Sequence, residues 1–118
     1  MHGSVPHTDG AVVILTTVEN TDKARSLARD LVSRRLAACV TALPARSVYA
    51  WEGGVHEDAE VLLLIKTSPQ NVDDLEQFLE ESHSFELPEF LVLPVVRGSQ
   101  RYLDWLHDAT QPIDTEEG

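Results

Sequence analysis

The sequence predicts an α+β fold in which strands and helices follow one another as βαββαβ, the split βαβ or ferredoxin-like order, with one additional helix at the C-terminal end. Three observations carry this. Apolar segments of strand length alternate with stripes of helical period, the middle two extended segments are joined by Glu52-Gly53-Gly54 instead of a helix, and a third helical pattern follows the last strand. With 118 residues the chain forms one domain, long enough to bury roughly two-thirds of the surface its unfolded state exposes.

Taken in order, Ala11 to Val18 is an apolar, β-branched run that ends at Glu19-Asn20-Thr21, where Asn20 or Thr21 can cap a helix. Ala24, Leu27, Ala28, Leu31 and Val32 then recur on one helical face, predicting an amphipathic helix to about Leu36. Ala38 to Thr41 and, beyond Pro44, Ser47 to Trp51 are extended, with a bend expected where proline removes a ladder donor. Glu52-Gly53-Gly54 supplies a hairpin turn. The returning strand is centred on Val61 to Ile65, flanked by Glu60 and Lys66 at its expected ends. Ser68-Pro69 reads as a cap and first-turn proline, and Val72, Leu75, Phe78 and Leu79 form the second helical stripe. Pro88 keeps that helix from continuing, Phe90 to Val96 gives the fourth strand, and Gly98-Ser99 starts a last helix carrying Tyr102, Leu103, Trp105 and Leu106.

Residues 1–10 and 111–118 are rich in turn formers and polar groups and are expected to be flexible tails around a single domain at 11–110. Three strands have continuous apolar runs, so both sheet faces call for cover. Either the third helix or the sheet of a neighbouring subunit supplies it.

Nine Lys and Arg against 20 Asp and Glu give a formal charge of −11, which repels nucleic-acid phosphates and anionic lipid and attracts cations. The single Cys39 forms no internal disulfide, and no leader pattern or membrane-length apolar stretch is present, so a cytoplasmic protein is expected.

No Gly-x-Ser-x-Gly elbow, phosphate-binding Gly-rich loop or His-Glu-x-x-His occurs, and no nucleophile–base pair can be named. Cys39, between Ala38 and Val40, reads first as a small buried hydrophobe, and the acids Asp73, Asp74, Glu76, Glu80 and Glu81 read as the solvated face of the second helix. His83-Ser84-Phe85-Glu86-Leu87-Pro88-Glu89 is the most unusual stretch: one imidazole and two carboxylates at three-residue steps make a mixed donor set suited to copper or zinc. Taken alone, His83 also reads as a helix-terminal histidine, and the remaining histidines as ordinary surface residues. Tyr49, Trp51, Tyr102 and Trp105 combine an apolar body with a polar atom, the pattern of interface or cleft residues.

Five blocks in order, Ala37-Ala38-Cys39-Val40, Ser47-Val48-Tyr49-Ala50-Trp51-Glu52-Gly53, Glu60 with Lys66-Thr67, His83 to Glu89, and Tyr102-Leu103-Asp104-Trp105-Leu106, resemble the CutA divalent-ion-tolerance family over about residues 11 to 107. The resemblance implies a non-enzymatic, cytoplasmic homotrimer whose sheets pack and extend between subunits, linked to tolerance of divalent ions and of copper especially. It makes His83 the first candidate metal ligand, with Cys39, Glu60, Glu86 and Glu89 as further candidates near the same cleft, and places Tyr49, Trp51, Lys66, Tyr102 and Trp105 at the interface or cleft. Some members have a cysteine near the end of the first strand and a second histidine before the one matching His83. Thr16 and Ser82 stand there instead, which implies weak copper binding. The family's similarity to PII signalling proteins leaves an alternative, a regulatory module that binds a metabolite or partner protein at subunit clefts.

Overall fold

The computed structural model describes residues 8–82, 85 and 87–112. Four strands, β1 (Val12–Val18), β2 (Cys39–Trp51), β3 (Gly54–Thr67) and β4 (Leu91–Pro94), form one antiparallel sheet in the order β2-β3-β1-β4. Helices α1 (Thr21–Ser33) and α2 (Val72–Ser82) lie in the connections of the split βαβ unit, and α3 (Gln100–Ala109) follows β4. Asn20 caps α1, its side chain accepting from the Lys23 N–H at 2.8 Å, and Ser99 caps α3 by accepting from the Tyr102 N–H.

Strand periodicity sorts the sheet's side chains. Val12, Ile14, Thr16 and Val18 of β1 face the same side as Leu63, Ile65 and Thr67 of β3. The apolar members of this set close the main core with Ala24 and Leu31 of α1 and Leu75 and Leu79 of α2. Above them the Arg34 guanidinium lies 4.7 Å from the Phe78 ring centroid and links the two helices.

Several boundaries differ from those expected. Pro44 makes no bend: β2 runs through it unbroken, because β2 is paired only with β3 and an edge strand tolerates the missing donor. β3 extends fourteen residues, so Glu60 and Lys66 lie inside the strand instead of at its ends. The fourth strand is only Leu91–Pro94. Glu52 and Gly53, with φ of 50° and 79°, form the two-residue hairpin turn, and positive φ at both positions matches the right-handed twist of the flanking strands. Ser68 and Pro69 hold the expected N-cap and first-turn positions, but the Ser68 side chain makes no capping bond. A 3₁₀ turn, Pro69–Asn71, precedes α2, and the Ser68 hydroxyl pairs with that of Thr110.

Helix α1 ends at Ser33 and not near Leu36, in a Schellman arrangement: the Leu36 N–H reaches the Leu31 carbonyl and the Arg35 N–H the Val32 carbonyl, both at 3.0 Å. Arg35 takes the left-handed position usual for glycine, with φ of 62°. Its guanidinium donates to the carbonyls of Asp108 and Gln111, which closes the end of α3. Part of the expected tails is tied down in the same manner. Gln111 is held by Arg35, and Asp9 donates from its N–H to the Val95 carbonyl at 2.8 Å. The remaining tail positions, 1–7 and 113–118, lie outside the described residues.

The second sheet face is covered only at one end. Leu103, Leu106 and Ala109 of α3 pack with Ala11, Ala38 and Val95. Beyond that end Leu91 and Leu93 are exposed at 56% and 43%, and Leu43 at 40%, on the face shared with half-buried Val13, Leu15, Leu62 and Leu64. The third helix therefore does not supply the cover by itself.

Two substitutions test this packing. Thr16 is fully buried in the main core and its hydroxyl has no hydrogen-bond partner among the described residues, so Thr16→Val is expected to raise stability by about 1 kcal/mol in urea denaturation. Arg35→Ala loses the clamp on α3 and keeps the unfavourable φ, and is expected to cost about 1–2 kcal/mol. Arg35→Gly costs less, by the roughly 1 kcal/mol that a non-glycine residue loses there.

Candidate functional site

Because β1 stops at the pair Val18↔Val61, residues 45–60 of β2 and β3 continue as a two-stranded arm with no third strand beside it. Seven residues of β2, Ala45 to Trp51, reach about 23 Å beyond that point. On the face opposite the helices, alternate residues of the arm meet the end of β1 and the chain that leads into β4. Together they enclose a cleft of about 620 Å³ lined by Thr17, Ser47, Tyr49, Ala50, Trp51, Asp58, Glu60, Phe85, Leu87 and Glu89.

Register explains why these groups converge. Ser47 opposes Asp58, and Ala45 opposes Glu60, so the two carboxylates project from one face of β3 beside the hydroxyls of Ser47 and Tyr49. Ser47 donates to a Glu60 oxygen and Tyr49 to an Asp58 oxygen. The Tyr49 ring stacks on His56, centroids 5.7 Å apart, and the His56 Nε2 lies 3.0 Å from the Trp51 carbonyl oxygen. The bond to Asp58 raises the Tyr49 phenol above its ordinary value of 10.0, with smaller contributions from desolvation and from the charges of Asp58 and Glu60.

The expected ligand set is divided between two places. Glu60 and Glu89 share the cleft, together with Tyr49 and Trp51. Cys39 does not: it pairs with Lys66, six ladder positions or about 20 Å along the strand from Glu60. There the Lys66 ammonium lies 3.7 Å from the Cys39 sulfur and also donates to the Thr41 hydroxyl. Within one chain, therefore, Cys39 and Glu60 do not lie side by side, and Cys39 has an ammonium as its neighbour. His83 and Glu86 lie outside the described residues. Among the described residues no group of three or more His, Cys, Asp or Glu side chains converges as a metal centre.

Of the remaining expected interface or cleft residues, Tyr102 and Trp105 sit on α3, rings 5.4 Å apart and inclined by 47°, with 45% and 47% exposure. Partial burial, and secondarily Cys39, raise the Tyr102 phenol above 10.0. Thr16 points into the core, and it is its neighbour Thr17 that reaches the cleft. Sequence reasoning missed Ser47, Asp58, Thr17, Phe85 and Leu87 as lining residues. The usable signal was strand alternation through Ser47, Tyr49 and Trp51, but it identifies cross-strand partners only once the Trp51↔Gly54 register is known. His56, expected at an ordinary surface position, is exposed there and stacks on the Tyr49 ring.

A family profile described as CutA1 divalent ion tolerance protein matches residues 12–109. The Thermus thermophilus divalent-cation tolerance protein CutA is 42% identical over 99 residues, covering 83% of this chain and 96% of that protein. Arabidopsis thaliana protein CutA, chloroplastic, is 39% identical over 102 residues, covering 86% of this chain but 56% of that protein. The chain thus spans a little over half the length of the plant relatives it matches. Among solved structures, CutA1 from Oryza sativa superposes with a TM-score of 0.84 at 40% identity, covering 88% of this chain and 96% of that one.

The Tyr49 arrangement has a spectroscopic consequence. In absorbance titration at alkaline pH, Tyr49→Phe is expected to remove a phenolate transition that lies above 10.0, and Asp58→Asn to move that transition back toward the ordinary range. A folded-state pKa above the unfolded one favours the protonated form. The associated stabilisation is therefore complete below pH 10 and is lost as pH rises through the folded value.

Proposed function

Because the chain belongs to the CutA1 divalent ion tolerance family, whose members are non-catalytic, we propose that it acts as a cytoplasmic homotrimer that binds divalent cations, copper foremost, and binds them weakly. Family membership supports a role in divalent-cation tolerance and homeostasis. The observation that carries the binding proposal is the acidic cleft, which Asp58, Glu60 and Glu89 line with no lysine or arginine among the described lining residues. Glu60 and Glu89 supply oxygen donors, and His83, which precedes the Phe85–Glu89 segment in the chain, supplies an imidazole nitrogen. A mixed nitrogen and oxygen set suits copper and zinc better than magnesium, which prefers six oxygens. The absence of a thiolate at position 16 and of a second imidazole at position 82 supports modest affinity.

Three features favour the trimer. The arm of residues 45–60 is a two-stranded ribbon, and such a ribbon is marginally stable in water without further packing. The sheet face bearing Leu43, Leu91 and Leu93 is apolar and largely uncovered, which fits burial against a neighbouring copy. β2 also presents a long unpaired edge, a position at which sheets extend between chains.

The test is calorimetric titration of the purified protein with Cu(II), Zn(II) and Mg(II), with mass measured by light scattering. Saturable Cu(II) binding at one site per subunit is expected, weakened at least tenfold, about 1.4 kcal/mol, by His83→Ala. Identical heats in both proteins would remove His83 from the site. A mass near three times the 13.1 kDa of the chain is expected, and a mass of one chain would overturn the trimer.

A further inference from the structure

We propose that the outer rims of α1 and α2 are complementary charged surfaces, so that Arg25 and Arg29 of one copy pair with Asp73, Glu76 and Glu80 on α2 of the next. This rests on the trimer proposed above and adds the contact that orders its subunits around the ring.

The distribution of charge is the first argument. Five of the nine basic residues, Lys23, Arg25, Arg29, Arg34 and Arg35, fall in or just after α1, whereas α2 carries five acids and no base. Arg35 is taken by the end of α3, Arg34 lies over Phe78, and Lys23 lines a groove that reaches Ser82 at the end of α2. Arg25 and Arg29 remain. They are exposed, four residues apart on one helix face, and have no ion-pair partner among the described residues.

Rotation about each helix is the second argument. Leu27 shares that groove with Ser82, and Arg34 meets Phe78, so these positions mark the sides on which the two helices face each other. Arg25 and Arg29 each stand two residues from Leu27, and Glu76 and Glu80 two residues from Phe78. At 3.6 residues per turn that puts all four about 160° round, on the far sides of the helix pair, with Asp73 at about 140°. The basic rim therefore looks toward the β2 edge, against which α1 packs, and the acidic rim toward the β4 edge.

Closure is the third argument. A three-fold ring has heterologous interfaces, in which two different patches of each subunit meet. The free edges of the sheet are β2 and β4, which run in opposite directions, so joining β2 of one copy to β4 of the next continues the antiparallel alternation. Across that joint α1 stands about two strand spacings, roughly 10 Å, from α2 of the neighbour, close to the separation of packed helices. Turning the uncovered apolar faces inward and the helices outward widens this gap. Long charged side chains bridge it where short apolar ones do not, and a reversed neighbour sets basic rim against basic rim.

In full-length Arg29→Lys protein, a carbodiimide that joins touching ammonium and carboxylate groups is expected to give covalent dimers and trimers. Peptide mass spectrometry is expected to link position 29 to Asp73, Glu76 or Glu80. Within one chain these groups lie on opposite sides of the helix pair, so such a link joins two copies. The double variant Arg25→Glu with Arg29→Glu is expected to exchange subunits between separately labelled trimers about tenfold faster than the unaltered protein at about 0.05 M KCl. At 1 M KCl the two are expected to agree within about threefold, because salt screens exposed pairs. A mass of one chain by light scattering would remove the trimer and this contact together. A mass of three chains with no link from position 29 to α2, or with equal exchange rates at low salt, would overturn the rim pairing and leave the trimer standing.

Discussion

β1 is seven residues long and its hydrogen-bonded neighbour β3 is fourteen, and much of the structure follows from that mismatch. The half of β3 that β1 matches sends Leu63 and Ile65 into the core, where they are inaccessible to solvent. The other half has only β2 as a partner. A two-stranded ribbon cannot bury both its faces, so its side chains remain available to a ligand or to another chain. The cleft forms at the step where three strands become two, because there the last residues of β1 leave open space that Phe85, Leu87 and Glu89 only partly fill.

The two faces of the sheet obey the same alternation but meet different surroundings. On one, α1 and α2 complete an apolar core that contains one anomaly, the buried and unpartnered hydroxyl of Thr16. On the other, α3 closes only the end near Ala11 and Ala38, and is fastened there by a polar network in which Arg35 holds the carbonyls of Asp108 in its last turn and of Gln111 just beyond it, and Ser68 bonds Thr110. Fastening a helix by its end leaves the middle of that face bare. Leu91 and Leu93 are exposed while Leu106 is sealed.

Charge follows this division of labour. Lys66 sits at the closed end beside Cys39 and Thr41. The carboxylates of Asp58 and Glu60 sit at the open end. In a chain of net charge −11 the cleft is therefore a place where negative potential is concentrated next to rings instead of being spread over solvent. The same six-position separation makes Cys39 a poor companion for the carboxylate donors despite their proximity in the sequence motifs.

Element order, the α1 and α3 caps, the Glu52-Gly53 turn and the apolar stripes were legible in the sequence, because each depends on local dihedral preference or on a period within a few residues. The uninterrupted passage of β2 through Pro44 was not, since tolerance of a missing N–H depends on whether a strand is at an edge. Nor was the route of Ser68, whose hydroxyl is taken by Thr110, forty-two positions away. Family membership was likewise readable from ordered blocks of residues. What only the tertiary structure decided was the composition of the site: that Glu60 and Glu89 line one cleft, that Cys39 stands apart from them in the chain, and that Ser47, Asp58 and Phe85 join the cleft. The physical reason is register. A strand's alternation says which residues share a face, but only the pairing of Trp51 with Gly54 and of Leu15 with Leu91 says which residues of different strands lie opposite one another.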